Sequence, residues 1–443
     1  MNVGGTLIAG PAAGGLSGKV SVPGDKSMSH RAVMLAALAS GTTEIHGFLP
    51  GEDCLATAEM FVQMGVSIDW LNDEKTSLRV HGVGLHGLKK PVGTLDAGNS
   101  GTCVRLMMGV LAGQDFDVTV TGDASLQVRP MQRVADPIRA MGAKVTGEGD
   151  LLPLTIQGGK LKAIHHVSKV ASAQVKSCVL LAALFAEGET AVSEPRPTRD
   201  HTERMLPLFG QPVTVDDSGL IHLQPTGKLI APNEPVYIPA DPSSAAFFAV
   251  AASLVKGSDI ALERIGMNPL RNGWKRILAD MHGAMDLQNE DLVGEESVAD
   301  IHVTYQGLHG VNVNPADVPD AIDEFPVLFV AAALAKGEFV LSEAEELRVK
   351  ESDRIAVMAA ALQAAGANFT EQTDGAIIVG GLLQGGCTVD ARGDHRIAMA
   401  MAVAAQCAKS EITIENSAAI ATSFPDFVPL AQSLGMNVRW SEK

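Results

Sequence analysis

One pattern written six times constrains this chain more than anything else in it. An apolar run of helical length stops near a Gly or Lys and passes at once into a strand-like run. The copies are "RAVMLAALASGTTEIHGF" from Arg31, "TCVRLMMGVLAGQDFDVTVTG" from Thr102, "VKSCVLLAALFAEGETAVSE" from Val175, "AAFFAVAASLVKGSDIALERI" from Ala245, "FPVLFVAAALAKGEFVLSEA" from Phe325 and "RIAMAMAVAAQCAKSEITIEN" from Arg396. Starts spaced by about 70 to 80 residues fit a repeated supersecondary unit with two strand-helix steps. Each copy is followed by a second helical stretch that ends near Gly, as in "MGVSIDW", "MGAKVTG", "FGQPVTVD", "HGAMDL", "AGANFT" and "LGMNVRW". Gly suits the left-handed position that closes a helix. The pattern predicts six α/β units built from small sheets covered by helices, because a helix apolar on every side needs apolar surroundings.

The chain also repeats at a coarser level. "VPGDKSMSHRAVMLAALASG" and "IPADPSSAAFFAVAASLVKG" share a layout, with Asp25 and Asp241 placed alike before Gly41 and Gly257. The echo predicts two similar halves and chain crossings at both Pro-containing segments. One domain is expected from 1–25 plus 242–443 and the other from 26–241, with three units in each.

The first helices of the units begin with polar groups. These are Lys26, Ser27 and Arg31; Asn99, Ser100, Gly101, Thr102 and Arg105; Ser172, Gln174 and Lys176; Ser243 and Ser244; Asp323 and Glu324; Asp394, His395 and Arg396. Taken singly, Ser, Asn and Asp there are ordinary N-caps. "RVKESDR" taken singly is a solvated helix face. Repetition at equivalent places points further, to helix N-termini whose amides and dipoles favour anions. Arg129, Arg199 and Lys350 stand at the starts of second helices, where a cation opposes the dipole unless a bound anion compensates. The expected ligand carries phosphate and carboxylate, which match guanidinium forks. The first such site, "VPGDKSMSHR", is no nucleotide loop, because Asp25 separates Gly24 from Lys26 and the glycine spacing is wrong.

Composition narrows the classes. A net charge of −17 and 4% aromatic residues disfavour nucleic acid and anionic membranes, while leaving room for a local cationic cleft. Five scattered cysteines without a C-x-x-C predict reduced thiols and no structural metal. "MNVGGTLIAGPAAGG" lacks the pattern of an export or import signal, and the apolar runs are too short to span a bilayer, so a cytoplasmic location is expected. Asp323, Glu324 and Glu351, set near Lys26 and Lys350 in this reading, are candidate acid-base carboxylates. No Ser-His-Asp layout and no metal-ligand spacing appears, which favours proton transfer with electrostatic clamping.

The motifs "GDKSMSHRA", "DAGNSGTCVRL", "VRPMQRV", "ASAQVKS", "RDHTERML", "DEFP", "LRVKESDRI", "GDHRIAMA" and "TSFPDF" together resemble the EPSP synthases, and in detail the second bacterial class of that family. The resemblance implies the two-domain enolpyruvyltransferase fold, an inside-out α/β barrel of six βαβαββ units, three per domain, with the active site in the interdomain cleft. It implies transfer of the enolpyruvyl group of phosphoenolpyruvate to shikimate-3-phosphate, in the shikimate route to chorismate and the aromatic amino acids, by a monomeric enzyme without cofactor or metal. Lys26, Ser27, Arg31, Ser172, Ala173, Gln174, Arg199, Asp323 and Lys350 are implied as shikimate-3-phosphate contacts, with Ala173 offering backbone alone. Lys26, Gly101, Arg129, Gln174, Arg354 and Arg396 are implied around phosphoenolpyruvate, with Asn99, Arg105 and His395 supporting. Asp323, Glu351 and Lys26 are the implied proton-transfer groups.

Two positions depart from the family pattern: Thr422 stands where many members have Lys, and Glu346 where the first class has Asn before the catalytic Lys. The nearest alternative is the related enzyme that uses UDP-N-acetylglucosamine, which typically has a Cys before its Arg-Pro motif; "GDASLQVRPM" has none. A non-catalytic anion-binding protein on the same scaffold is the alternative from another class.

Overall fold

The computed structural model describes residues 5–442. The chain divides into two compact units, one made of Met1–Pro23 and Pro239–Lys443, the other of Gly24–Ile238. The crossings therefore fall two and three residues before the expected ones, and the reason is capping. Asp25 accepts from the Met28 amide and so belongs to the helix it starts, while Asp241 caps the next such helix through Ser243. An N-cap is fixed by the helix whose free amides it satisfies.

The six repeated apolar runs are helices: α1 (Lys26–Leu38), α2 (Gly101–Ala112) and α3 (Ala173–Ala183) in one unit, α4 (Pro242–Leu254), α5 (Phe325–Leu334) and α6 (His395–Ala405) in the other. They are buried almost all round, as an all-apolar helix must be. In the Gly24–Ile238 unit α2 touches both α1 and α3, and in the other unit α4, α5 and α6 touch one another. Small residues make this possible. A Cβ on Gly109 would stand 2.2 Å from the Cys178 carbonyl oxygen, so α2 and α3 meet backbone to backbone there.

Among the described residues, three sheets of three to five strands surround the helices of each unit, with one further two-stranded pairing in the Gly24–Ile238 unit. The second repeat shows the full βαβαββ order. Strand Leu95–Asp96 leads through α2 to the parallel strand Asp117–Thr121, then through helix Gln132–Met141 to the antiparallel strands Lys144–Thr146 and Leu154–Gln157. Other repeats borrow strands from afar. Leu229–Ile230 and Val236–Tyr237 run parallel to Ala39–His46, supplying the first repeat with its leading strand from the end of the same unit. In the other unit, Ser17–Val20 leads the repeat that contains α4, and Leu7–Ala9 fills the last sheet between Ile412–Glu415 and Val438–Trp440.

Helix ends follow the expected chemistry with three differences. Gly65, Gly142, Gly210, Gly366 and Gly435 all take positive φ after second helices. In the remaining copy His282, at φ 68°, adopts the left-handed turn and Gly283 merely follows it. Gly41 and Gly257, expected as helix ends, lie three residues beyond them, since α1 and α4 stop at Leu38 and Leu254. The "TSFPDF" segment is core: Phe424 and Phe427 pack against Phe248 of α4 at ring distances of 5.9 and 5.8 Å.

Candidate active site

Each unit carries its own cluster of charged groups at the starts of its buried helices. In the Gly24–Ile238 unit, α1 begins with Lys26, whose ammonium pairs with the buried carboxylate of Asp53. Arg31, one turn on, is itself buried. Its guanidinium donates to the Ser27 carbonyl at 2.9 Å, to Thr202 Oγ1 at 2.8 Å and to Ser177 Oγ at 2.7 Å.

The start of α2 is held equally firmly. Ser100 caps it by accepting from the Cys103 amide at 3.1 Å. Arg129 donates to Asn99 Oδ1 at 2.9 Å and to Ser125 Oγ at 3.0 Å, while Asn99 Nδ2 donates to Asp123 at 2.7 Å. Arg105 donates to Gln174 Oε1 at 2.6 Å, and Gln174 Nε2 donates to Thr102 Oγ1 at 3.0 Å, joining α2 to α3. A Cβ on Gly101 would lie 3.3 Å from Arg105 Nη1 and 3.5 Å from Arg129 Nη1, so the hydrogen of glycine leaves two guanidiniums room beside the helix start. Ser172 precedes α3 without a side-chain cap bond, and Ala173 opens the helix. Arg199 is half-buried in the segment before helix His201–Leu208.

Behind these helix starts, His30 is fully enclosed. Its Nδ1 lies 2.7 Å from Thr57 Oγ1 and its Nε2 lies 3.4 Å from Ser100 Oγ. Thr57 Oγ1 also lies 3.4 Å from the Asp53 carbonyl oxygen. Burial first, then Lys26 and Arg31, hold the imidazole well below its ordinary pKa against a smaller pull from Asp25.

In the other unit the cluster centres on Arg354, the first residue of helix Arg354–Ala364, which has no exposed surface. Nε donates to Asp394 Oδ2 at 2.9 Å, Nη1 to Asp323 Oδ1 at 3.1 Å and Nη2 to Glu351 Oε2 at 2.6 Å. Burial works against its charge, but Asp394, Glu351 and Asp323 outweigh it and hold the guanidinium well above its usual pKa. Lys350 Nζ lies 3.4 Å from Asp323 Oδ1. Arg396 donates to the Asp323 carbonyl at 3.0 Å and sits 3.6 Å from Glu324. His395, at the start of α6, is buried.

The expected residues thus assemble into two groups. Asp323, Lys350, Glu351, Arg354 and Arg396 form one, and Lys26, Ser27, Arg31, Asn99, Gly101, Arg105, Arg129 and Gln174 occupy the helix starts of the other. Arg354 differs from an open cation, since three carboxylates already surround it. Asp53, Asp123, Ser177 and Thr202 were not singled out from sequence, although Asp53 follows the Gly that starts a second helix. At the departures, the Thr422 hydroxyl is spent on the Ala419 carbonyl at 2.7 Å, and Glu346 is half-buried in the turn Glu345–Val349. Among the described residues no three His, Cys, Asp or Glu side chains are grouped to hold a metal ion, and no helix is long and apolar enough to cross a membrane.

The family model of EPSP synthase (3-phosphoshikimate 1-carboxyvinyltransferase) matches residues 12–430. The chain belongs to the EPSP synthase family. A 3-phosphoshikimate 1-carboxyvinyltransferase of Methylococcus capsulatus is 53% identical over 437 residues, covering 98% of both chains. One of Alkalilimnicola ehrlichii is 55% identical over 425 residues, covering 96% of this chain and 94% of that one. The solved EPSP synthase of Acinetobacter baumannii superposes with a TM-score of 0.86 at 47% identity, covering 98% and 99% of the two chains. The enolpyruvyl transferase NikO of Streptomyces tendae, at 16% identity and a TM-score of 0.81, shares the fold. The inside-out arrangement of six α/β units is therefore that of the EPSP synthases, and the chain is an enzyme of the transferase class.

Proposed function

We infer that this chain transfers the enolpyruvyl group of phosphoenolpyruvate to the 5-hydroxyl of shikimate-3-phosphate, yielding 5-enolpyruvylshikimate-3-phosphate and inorganic phosphate. The observation that carries the reading is that a chain 53% identical over 437 residues to a relative named for that activity gathers Asp323, Lys350, Glu351, Arg354 and Arg396 into one cluster and Lys26, Arg31, Arg105 and Arg129 at the helix starts of another. In this reading the two clusters face one substrate pair in the cleft between the domains, and the enzyme acts as a cytoplasmic monomer.

Ser27, Arg31, Ser172, Ala173, Gln174, Arg199 and Lys350 hold shikimate-3-phosphate. Lys26, Gly101, Arg129, Gln174, Arg354 and Arg396 surround phosphoenolpyruvate, with Asn99, Arg105 and His395 supporting them. Asp323 takes the proton of the attacking hydroxyl as its oxygen bonds to C2 of phosphoenolpyruvate, and Glu351 protonates C3 to a methyl group. Elimination reverses the second transfer: C3 gives up a proton, the double bond re-forms and the C2 to phosphate-oxygen bond breaks. Lys26, Arg129 and Arg396 stabilise the charge that gathers on the departing phosphate. The shared guanidinium of Arg354 supports a coupling between binding and chemistry, because an arriving anion competes there with Asp323 and Glu351.

A steady-state assay with two acceptors tests the reading. Phosphate release from phosphoenolpyruvate is expected with shikimate-3-phosphate and not with UDP-N-acetylglucosamine; the reverse preference overturns it. Asp323→Ala and Glu351→Ala are expected to abolish turnover, and full activity in both would overturn their assignment as the proton-transfer groups; ligand binding by a wild-type chain that never turns over would leave only anion binding.

A further inference from the structure

Lys176 lies in the first turns of α3 yet takes no part in the chemistry above. Its side chain is 2% exposed. The ammonium sits 2.9 Å from Glu194 Oε2 and 2.8 Å from Glu203 Oε1, and donates to the Thr198 carbonyl at 2.9 Å. Those three partners bracket the segment 194–203, in which Pro195, Arg196 and Pro197 are exposed. Glu194 closes the same segment on itself, accepting from the Thr198 hydroxyl at 2.6 Å and the Thr198 amide at 3.3 Å. A buried ammonium tolerates removal from water only when its donors are matched, and here they are spent on two carboxylates and one backbone carbonyl. The next residues on each element serve the neighbouring cation: Ser177 and Thr202 bond each other at 2.8 Å and both accept from Arg31. One buried network therefore holds the Arg31 side chain on α1 and the backbone of the segment that carries Arg199.

We propose that Lys176 is a positioning residue for phosphate recognition: through Glu194, Glu203 and the Thr198 carbonyl it fixes the 194–200 segment, and with it Arg199, at the spacing from Arg31 that the sugar-like acceptor's phosphate requires. The proposal rests on the reaction assigned above. Lys176 touches no reacting atom, so its loss acts on acceptor binding and spares phosphoenolpyruvate, whose cations stand on other elements.

The test measures both Michaelis constants in the full-length enzyme and hydrogen exchange across 194–200. Lys176→Met is expected to raise KM for shikimate-3-phosphate at least tenfold, to leave KM for phosphoenolpyruvate within threefold, and to speed exchange in the segment. Glu194→Ala, which frees the segment from its other side and retains Lys176, is expected to do the same and decides the matter if Lys176→Met does not fold. A folded variant with unchanged KM for the acceptor overturns the proposal, as does a parallel rise in both constants. Wild-type enzyme that fails to turn over the two substrates overturns the assigned reaction instead. Arg199→Ala with an unaltered acceptor KM in active enzyme overturns the proposal alone.

Discussion

At the scale of single residues, the absence of a side chain decides as much as its presence. Gly101 is placed so that one methyl group would press on Arg105 and touch Arg129. The 3.3 Å approach to Arg105 is tight, whereas 3.5 Å to Arg129 is ordinary contact, and the Arg105 guanidinium is already committed, so it yields only by loosening its bond to Gln174. Gly101→Ala is therefore expected to raise KM for phosphoenolpyruvate about tenfold, the equivalent of roughly 1.4 kcal/mol, with KM for shikimate-3-phosphate changed much less. An equal effect on both constants would show that the methyl disturbs the whole helix start. His30 gives a second prediction. Its folded pKa is depressed, so below about pH 6.5 the unfolded chain binds a proton that the folded chain refuses. The stability present above that pH is lost as pH falls toward the folded pKa, by up to about 1.4 kcal/mol per pH unit. Urea unfolding between pH 7 and 5 should show this limb, and His30→Gln should flatten it relative to wild type. The basic residues of the site were legible in sequence because cations at helix starts break the dipole rule. Two of their partners were not: Asp53 and Thr202 look like ordinary helix-start residues until folding sets them beside Lys26 and Arg31.

At the scale of elements, the inner helices declare themselves because their sequences are apolar all round and stop near small or charged residues. What their sequences do not declare is which strands they will meet. Leu7–Ala9 pairs with Ile412–Ile414, and Ser17–Val20 with Asp259–Leu262, across separations of hundreds of residues. Short strands of this kind carry little local signal, and only their tertiary partners assign them. His282 shows the same limit at a helix end, where a neighbouring Gly was the better local guess for the left-handed turn. The contact between α2 and α3 is the element whose failure is easiest to measure. Because the Cys178 carbonyl stands 2.2 Å from where a Cβ would go, Gly109→Ala must move one helix against the other. Ala has the better helix propensity, which works in the opposite direction by about 1 kcal/mol. Overpacking typically costs about 1–3 kcal/mol, and the obstacle here is backbone and not a movable side chain, so net destabilisation is expected in chemical denaturation. A more stable variant would show that the helices part freely.

At the scale of the whole molecule, the division of charge between the two compact units sets a condition on catalysis. The units are Met1–Pro23 with Pro239–Lys443, and Gly24–Ile238. Asp323 and Glu351 belong to one unit, whereas Lys26, Arg31 and Arg129 belong to the other. The proposed reaction needs a carboxylate from the first and cations from the second around the same pair of small anions. The first also carries cations of its own, Lys350, Arg354 and Arg396, but not those at the starts of α1 and α2. In that proposal ligand binding contributes to bringing the two clusters together, and each cluster's charges are already partnered by groups of its own unit. Arg354, saturated by Asp394, Asp323 and Glu351, is the clearest instance. Small-angle scattering is expected to show a smaller radius of gyration when shikimate-3-phosphate and inorganic phosphate are added together than with either alone. Replacing Arg396 by Ala should weaken that compaction, since it removes one of the cations that the proposed reaction places at the departing phosphate. An unchanged radius with both anions at saturation, confirmed by calorimetry, would mean that the two clusters already stand at their working distance, and that the energy of binding goes to chemistry and not to closure.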